Sequence, residues 1–298
     1  MPRPVEAMED AVMNHSVVVG IDGSAQSAAA AGWAAEEARR TGRALRMVHV
    51  VHAEGGDFAR AGQPADRLPR SVTEIRDRIS AVLPDLETTC EQVPGTPSYA
   101  LAAAGERDGL LVLGSRGLGG VTGLLVGSVG LRVAAHARCP VVLVRGGAGG
   151  TPGERGEVLV GVQGDRPCDA VLAFAFDQAA RRGAVLRAVE ARTTPAGPYR
   201  TQAPLEQEAI TRSLTADRLV HLQDALGRWR ERFPDVRTRA EVVDGGAAEA
   251  LLEASHGAAL VVLGRRAPGH PMAAPRLGPV THVVIHRARV PVAVVPHD

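Results

Sequence analysis

The chain has 298 residues, 45% hydrophobic and 22% charged, with a formal net charge of +1 at pH 7, which predicts a soluble globular protein of about two domains. The near-neutral charge and 3% aromatic content argue against general nucleic-acid binding, because neither a basic field nor stacking side chains are supplied. The chain has 34 arginines and no lysine, so the lysine chemistry of P-loop GTPases, kinases and Schiff-base enzymes is disfavoured.

The first half alternates short apolar strands with helices. Apolar runs without polar alternation, such as 17–19, are typical of parallel strands covered by helices on both faces. In chain order, the predicted elements are strand and turn 15–23, helix 24–40, strand 44–52, helix 71–83, strand 88–93, helix 97–107, strand 110–113, helix 128–137 and strand 141–144.

The second half repeats this series. Its predicted elements are strand and turn 157–164, helix 166–182, strand 184–191, helix 215–233, strand 237–243, helix 247–255, strand 260–263 and strand 292–295. Each half is therefore predicted to be an α/β domain with a doubly wound, parallel, five-stranded sheet. We expect a flexible tail at 1–14, domains at 15–146 and 157–298, and a glycine-rich linker at 147–156.

A glycine-rich segment follows the fourth strand of the first half. It reads Gly114-Ser115-Arg116-Gly117, nine further residues, then Gly127-Ser128. Glycines let the main chain approach phosphate oxygens, and a helix N-terminus adds partial positive charge. The segment is thus either a phosphate cradle or a plain surface turn. As a cradle, it would contribute Gly114, Ser115, Arg116, Gly117, Gly119, Gly120, Gly127, Ser128 and Val129, with donors from the Ser128 hydroxyl and the Gly127 and Val129 amides.

An acidic residue follows the first strand. Ligands of open α/β sheets bind beyond the carboxyl ends of the strands, where Asp22 and Gly114 are expected to flank one crevice. Asp22 either accepts from a ribose hydroxyl, holds a cation that bridges phosphates, or simply forms an Asx turn or N-cap. Arg116 either clamps a phosphate or is a solvated surface arginine.

These motifs resemble the nucleotide-binding branch of the universal stress protein family, in its tandem form, over nearly all of residues 15–298. The glycine pattern, the turn Gly20-Ile21-Asp22-Gly23-Ser24 and the stretches 93–97 and 139–144 carry the resemblance. It implies ATP, with or without Mg²⁺, whose phosphates lie on the loop near Gly20 and Asp22 and whose adenine lies near Val50. It also implies strand order 3-2-1-4-5 in each domain and association through the last strands.

The matching loop of the second half departs from the pattern. Ala267 replaces the second glycine, Pro279 replaces the serine, and Gln163 replaces Asp22. Proline supplies neither an N–H nor a hydroxyl where phosphate would lie. We therefore expect a degenerate second domain, although Arg265 and Arg266 leave weak nucleotide binding open.

Other candidate ligands are interpreted as structural. His282 and His286 are four apart on the expected last helix, a spacing compatible with metal, but are interpreted as surface histidines. Cys90, Cys139 and Cys168 show no disulfide or zinc spacing, and Cys139 is expected to be a small buried side chain. Without an evident signal or membrane segment, we expect a cytoplasmic protein.

The sequence favours a nucleotide-dependent stress-response sensor or regulator in which ATP on the first domain changes a surface read by an unidentified protein partner. One alternative is a slow ATP hydrolase or phosphotransferase, with Asp22 holding a metal and Arg116 stabilising charge. Another is a ligand-free scaffold that dimerises. The last strands could pair within one chain as a pseudo-dimer or between two chains.

Overall fold

The computed structural model describes residues 16–51, 68–115, 126–146, 156–164, 166–192, 204–267 and 276–297, with the backbone alone at 204–211. The chain divides into two compact units, and the boundary along the chain falls between Gly150 and Thr151. Strands β1 to β5 belong to the first unit and β6 to β10 to the second. Within the described ranges, no helix has the length and apolar character needed to cross a membrane.

The first unit is a parallel sheet with helices between its strands. Its elements are β1 (Val17–Gly20), α1 (Ala25–Thr41), β2 (Leu45–Val51), α2 (Arg70–Val82), β3 (Thr88–Pro94), α3 (Pro97–Asp108), β4 (Leu111–Gly114), α4 (Ser128–His136) and β5 (Val141–Val144). The strand order is β3-β2-β1-β4-β5, and every neighbouring pair is parallel. All residues of β1 and β5 are buried, as their apolar runs predict.

The second unit repeats this topology. Its elements are β6 (Glu157–Gly161), α5 (Asp169–Arg182), β7 (Leu186–Arg192), α6 (Pro204–Arg232), β8 (Thr238–Asp244), α7 (Ala247–Ala254), β9 (Ala258–Arg266), α8 (Pro279–Arg287) and β10 (Val292–His297). The strand order is β8-β7-β6-β9-β10, again with parallel pairs.

The direction of the strand order reverses beside the first strand of each unit. In the first unit, the chain moves from β1 outward to β2 and β3, then returns to add β4 and β5 on the other side of β1. The connections after β1 and β4 therefore diverge, which opens a crevice at the carboxyl ends of these two strands. This is where Asp22 and Gly114 lie.

Two elements differ most from the predicted bounds. Helix α6 begins at Pro204 rather than at residue 215. A first-turn proline is compatible with a helix because the N–H it lacks has no intrahelical partner there. Strand β9 extends over Ala258–Arg266 rather than 260–263, because its pairing with β10 continues through Arg266.

The repeat includes an ion pair. Arg46 on β2 pairs with Glu91 on β3, and its Nη1 lies 2.6 Å from the Asp108 Oδ2. Arg187 on β7 pairs in the same way with Glu241 on β8, at 2.6 Å. Since the strand registers make these positions equivalent, each unit joins its second and third strands by the same arginine–glutamate contact.

The packing of α3 predicts opposite effects for two identical glycine substitutions. A Cβ at Gly105 would lie 2.8 Å from both the Cys139 Sγ and the Leu111 Cβ, whereas a Cβ at Gly32 of α1 would meet no described atom within 4 Å. Both positions are helical, so both alanine variants gain about 0.5–1 kcal/mol of helix propensity. We expect Gly32→Ala to stabilise the protein and Gly105→Ala to destabilise it by about 1–3 kcal/mol through overpacking.

Urea unfolding, followed by circular dichroism, measures both free energies. Equal stabilisation by the two variants would contradict the close contact of α3 with β4.

Candidate functional site

The turn after β1 is held by main-chain and side-chain hydrogen bonds. The Ile21 N–H donates to the Val48 carbonyl at 2.9 Å, which continues the β1–β2 pairing beyond the strand. The Asp22 Oδ1 then accepts from the Ser24 N–H at 3.0 Å, which forms the Asx turn that the sequence left open. The N-cap of α1 is Ser24, whose side chain accepts from the Ser27 N–H at 3.1 Å. Asp22 is thus fixed at the carboxyl edge of the sheet.

Strand register places Val50 beside this turn. Gly20 of β1 is level with Val48 of β2, so extension by two residues brings Asp22 level with Val50. Both residues are half-buried. Asp22, in the turn after β1, and Val50, on β2, therefore lie at the same edge of the sheet.

A histidine that the sequence analysis did not single out also supports this turn. The Nδ1 of His49, on β2, lies 2.8 Å from the Ile21 carbonyl oxygen. A carbonyl only accepts, so the imidazole donates from Nδ1. A polar side chain within the mostly apolar strand β2 could have marked His49 as a candidate. Its hydrogen-bond partner, the Ile21 carbonyl, could not be predicted, because it depends on how β1 and β2 pair.

The end of β4 passes very close to α1. A Cβ at Gly114 would lie 2.8 Å from the carbonyl carbon and oxygen of Gln26 and 3.0 Å from the Ser27 nitrogen. These are backbone atoms, which cannot rotate away as a side chain can. Gly114 is therefore required by packing, a reason that the sequence interpretation of this glycine did not include.

Two main-chain hydrogen bonds at Ser115 join the ends of the glycine-rich segment. The Ser115 N–H donates to the Val144 carbonyl at 2.8 Å, and the Ser115 carbonyl accepts from the Gly127 N–H at 2.6 Å. They bring the start of α4 beside the end of β4. The expectation that the Gly127 amide is offered to a phosphate is corrected here, because that N–H already donates to Ser115.

Helix α4 begins at Ser128, with Gly127 as its N-cap and without a side-chain capping hydrogen bond. Ser128 and Val129 are exposed. N–H groups in the first turn of a helix have no partner within the helix and carry its partial positive charge. The hydroxyl and first-turn amides are thus donors suited to an anion. The remaining predicted loop residues, Arg116, Gly117, Gly119 and Gly120, lie outside the described residues.

The second unit differs at each matching point. Gln163 is exposed in the turn after β6, and α8 begins at Pro279. Arg265, 5% exposed, follows Gly264 at the place that the small Ser115 occupies in the first unit. The donors and the carboxylate of the first site are therefore replaced by other groups in the second.

A buried carboxylate holds the second turn. Glu190 of β7 is 2% exposed, and its Oε2 accepts from the Gly164 N–H at 3.2 Å. Its other oxygen contacts Arg218 of α6. Because Gly161 pairs with Val189 as Gly20 pairs with Val48, Glu190 occupies the position of His49. In the first unit a side chain therefore holds the turn through a main-chain carbonyl, and in the second through a main-chain N–H.

The sequence also raised two histidines and three cysteines as candidate ligands. The rings of His282 and His286, on α8, have centroids 4.5 Å apart, and the described residues contain no grouping of three or more potential metal ligands. The three cysteines are free thiols, and Cys139 is buried. Burial raises the pKa of the Cys90 thiol, with Glu91 adding to the rise and Arg76 opposing it.

Known proteins resemble the chain over nearly its whole length. A universal stress protein of Mycobacterium tuberculosis is 32% identical over 294 residues, which cover 94% of this chain and 96% of that protein. Another, from Mycolicibacterium smegmatis, is 29% identical over 307 residues, covering 97% and 99%. A solved universal stress protein from Archaeoglobus fulgidus shares the fold, with a TM-score of 0.63 at 17% identity and coverage of 96% and 100%.

The universal stress protein family model matches the chain twice, at residues 13–145 and 154–296. The two matches coincide with the two sets of five strands. By this repeated match and its relatives, the chain belongs to the universal stress protein family, in its tandem two-domain form.

Proposed function

We propose that the first unit binds ATP and that the protein acts as a nucleotide-dependent regulator in the stress response. The observation that carries this proposal is the pair of hydrogen bonds at Ser115, which brings the start of α4 to the crevice edge where Asp22 lies. An anion placed there would meet donors that the fold has already positioned. Such pre-organisation lowers the entropic cost of binding.

The phosphates would lie at the N-terminus of α4. The Ser128 hydroxyl and the first-turn N–H groups of Ser128 and Val129 would donate to phosphate oxygens, and Gly127, which has no side chain, leaves the approach open. Arg116, Gly117, Gly119 and Gly120 would complete the contact around the phosphates. The support for this placement is the exposure of Ser128 and Val129 at the helix start.

Asp22 and Val50 would contact the nucleoside part. The Asp22 carboxylate, held by the Ser24 N–H, can either accept from a ribose hydroxyl or hold a Mg²⁺ that bridges phosphates. Half-buried Val50, level with Asp22 on the neighbouring strand, offers an apolar surface to adenine. Gly20 lies beneath, where a Cβ would lie 2.6 Å from the Leu113 side chain.

We infer binding rather than catalysis as the main activity. The chain has no lysine to stabilise a transferred phosphate. We further propose that the second unit does not bind ATP in the same way and that the protein is cytoplasmic. We also propose that it associates with itself through the last strands, which light scattering of the purified protein tests.

Replacement of Asp22 by asparagine tests its charge. The asparagine keeps an Oδ1 acceptor for the Ser24 N–H, so the turn is retained. We expect Asp22→Asn to raise the Kd for ATP about tenfold, measured by calorimetry with Mg²⁺ and again with EDTA. Weakening in both buffers assigns the carboxylate to ribose, and weakening with Mg²⁺ alone assigns it to the cation.

Asp77→Asn, on the exposed face of α2, makes the same charge change away from the crevice and is the control. If Asp22→Asn binds ATP like the wild type in both buffers, Asp22 has no part in the site.

Two substitutions at position 128 distinguish the contribution of the hydroxyl to ATP binding from that of the N–H. Ser128→Ala removes the hydroxyl, whereas Ser128→Pro also removes the N–H, yet it is compatible with the helix because α8 begins with Pro279. We expect Ser128→Pro to raise the Kd for ATP by about tenfold or more, with Ser128→Ala between it and the wild type.

Pro279→Ser is the matched control in the second unit. It should leave the stoichiometry of ATP unchanged, because Gln163 and Arg265 still differ from the first site. Unchanged affinity in Ser128→Pro, with an unchanged melting temperature, would place the phosphates elsewhere.

The hydrolase alternative makes a different prediction for turnover. If the protein only binds ATP, ADP should not form above the rate in protein-free buffer over several hours, as measured by chromatography of the nucleotides. Steady ADP formation that Asp22→Ala abolishes would instead establish the slow hydrolase.

A further inference from the structure

The second unit contains a cavity of about 350 Å³ on the α6 side of its sheet. It lies between the turn that follows β6 and the middle of α6, and its lining residues are Gly164, Pro167, His221, Asp224 and Ala225. A volume of this order is at the lower end of small-molecule sites, and the carboxyl end of the first strand is a usual place for one.

The walls and rim of the cavity differ in polarity. Pro167, Ala225 and Gly164 offer apolar surface, which suits a flat hydrocarbon or aromatic body. His221 and Asp224 are three residues apart on α6, so they project on the same side of the helix. Both are exposed. A ligand lying on the apolar wall would therefore present its edge to an imidazole and a carboxylate.

The described residues that line the cavity carry one formal negative charge. It belongs to Asp224 of α6. Two neighbouring arginines of α6 have acidic contacts: Arg228 with Asp169 and Arg218 with Glu190. Each of these two arginines therefore has an acidic partner, and Asp224 is the charged group among the described lining residues that a ligand would meet.

A phosphate group does not fit this chemistry, because it would face Asp224 without a cation among the described lining residues. We propose that the cavity binds a flat organic cation that carries N–H donors, of the amidinium or guanidinium kind. The cation edge would donate to the Asp224 carboxylate, and its apolar body would lie against Pro167 and Ala225. This site is separate from the nucleotide site proposed for the first unit and is independent of it.

Three probes of the same shape and different charge test the proposal: benzamidine, benzamide and benzoate. Each is titrated into the full chain at pH 8, with binding followed by shifts of backbone amide resonances in NMR spectra. We expect benzamidine to bind at least about fivefold more tightly than benzamide and benzoate to bind more weakly than both, with shifts centred on residues 164–168 and 221–225.

Asp224→Asn removes the charge at an exposed position and should make benzamidine and benzamide bind equally. Asp235→Asn, at an exposed turn after α6, is the matched control and should preserve the preference. The proposal is overturned if benzoate binds as tightly as benzamidine, if Asp224→Asn retains the preference, or if benzamidine at about 10 mM leaves these resonances unshifted.

Discussion

The main chain of Ser115 is the link on which the geometry of the first site depends. Its N–H reaches across to the end of β5, and its carbonyl holds the residue that caps α4. The strand edge and the helix start are therefore parts of one hydrogen-bonded structure. A ligand at the crevice would meet a helix dipole whose direction is set by the sheet, which allows a few neutral donors to act on a strongly charged group.

The two units show how one topology can host opposite chemistry. In the first unit, the turn after β1 is tied by a histidine that donates to a carbonyl, and the helix start is open to an anion. In the second, a buried glutamate accepts from a main-chain N–H, and a carboxylate of α6 borders the cavity. Both features lie at the carboxyl ends of strands, so the fold fixes the place while single side chains fix the sign of the charge.

The fold follows from the sequence to a large extent. Continuous apolar runs such as β1 and β5 are recognisable from the sequence as buried parallel strands. Asp22 and Gly114 were chosen as candidate site residues because they lie at the carboxyl ends of two such runs, β1 and β4. What the sequence does not show is which main-chain groups are already satisfied. The hydrogen bonds of the Gly127 N–H and of His49 depend on the positions of other strands. The role of Glu190 is seen only from its contacts with Gly164 and Arg218.

The proline that opens α8 has an evolutionary consequence. At the first position of a helix, proline costs the fold little, since the N–H it lacks would have no helical partner. A single base change can convert a serine codon into a proline codon. Loss of the hydroxyl and N–H donors at this position would therefore change stability little. Selection for stability removes only substitutions that bring a protein below its folding threshold. A tandem domain can therefore lose a donor at this position without losing its fold.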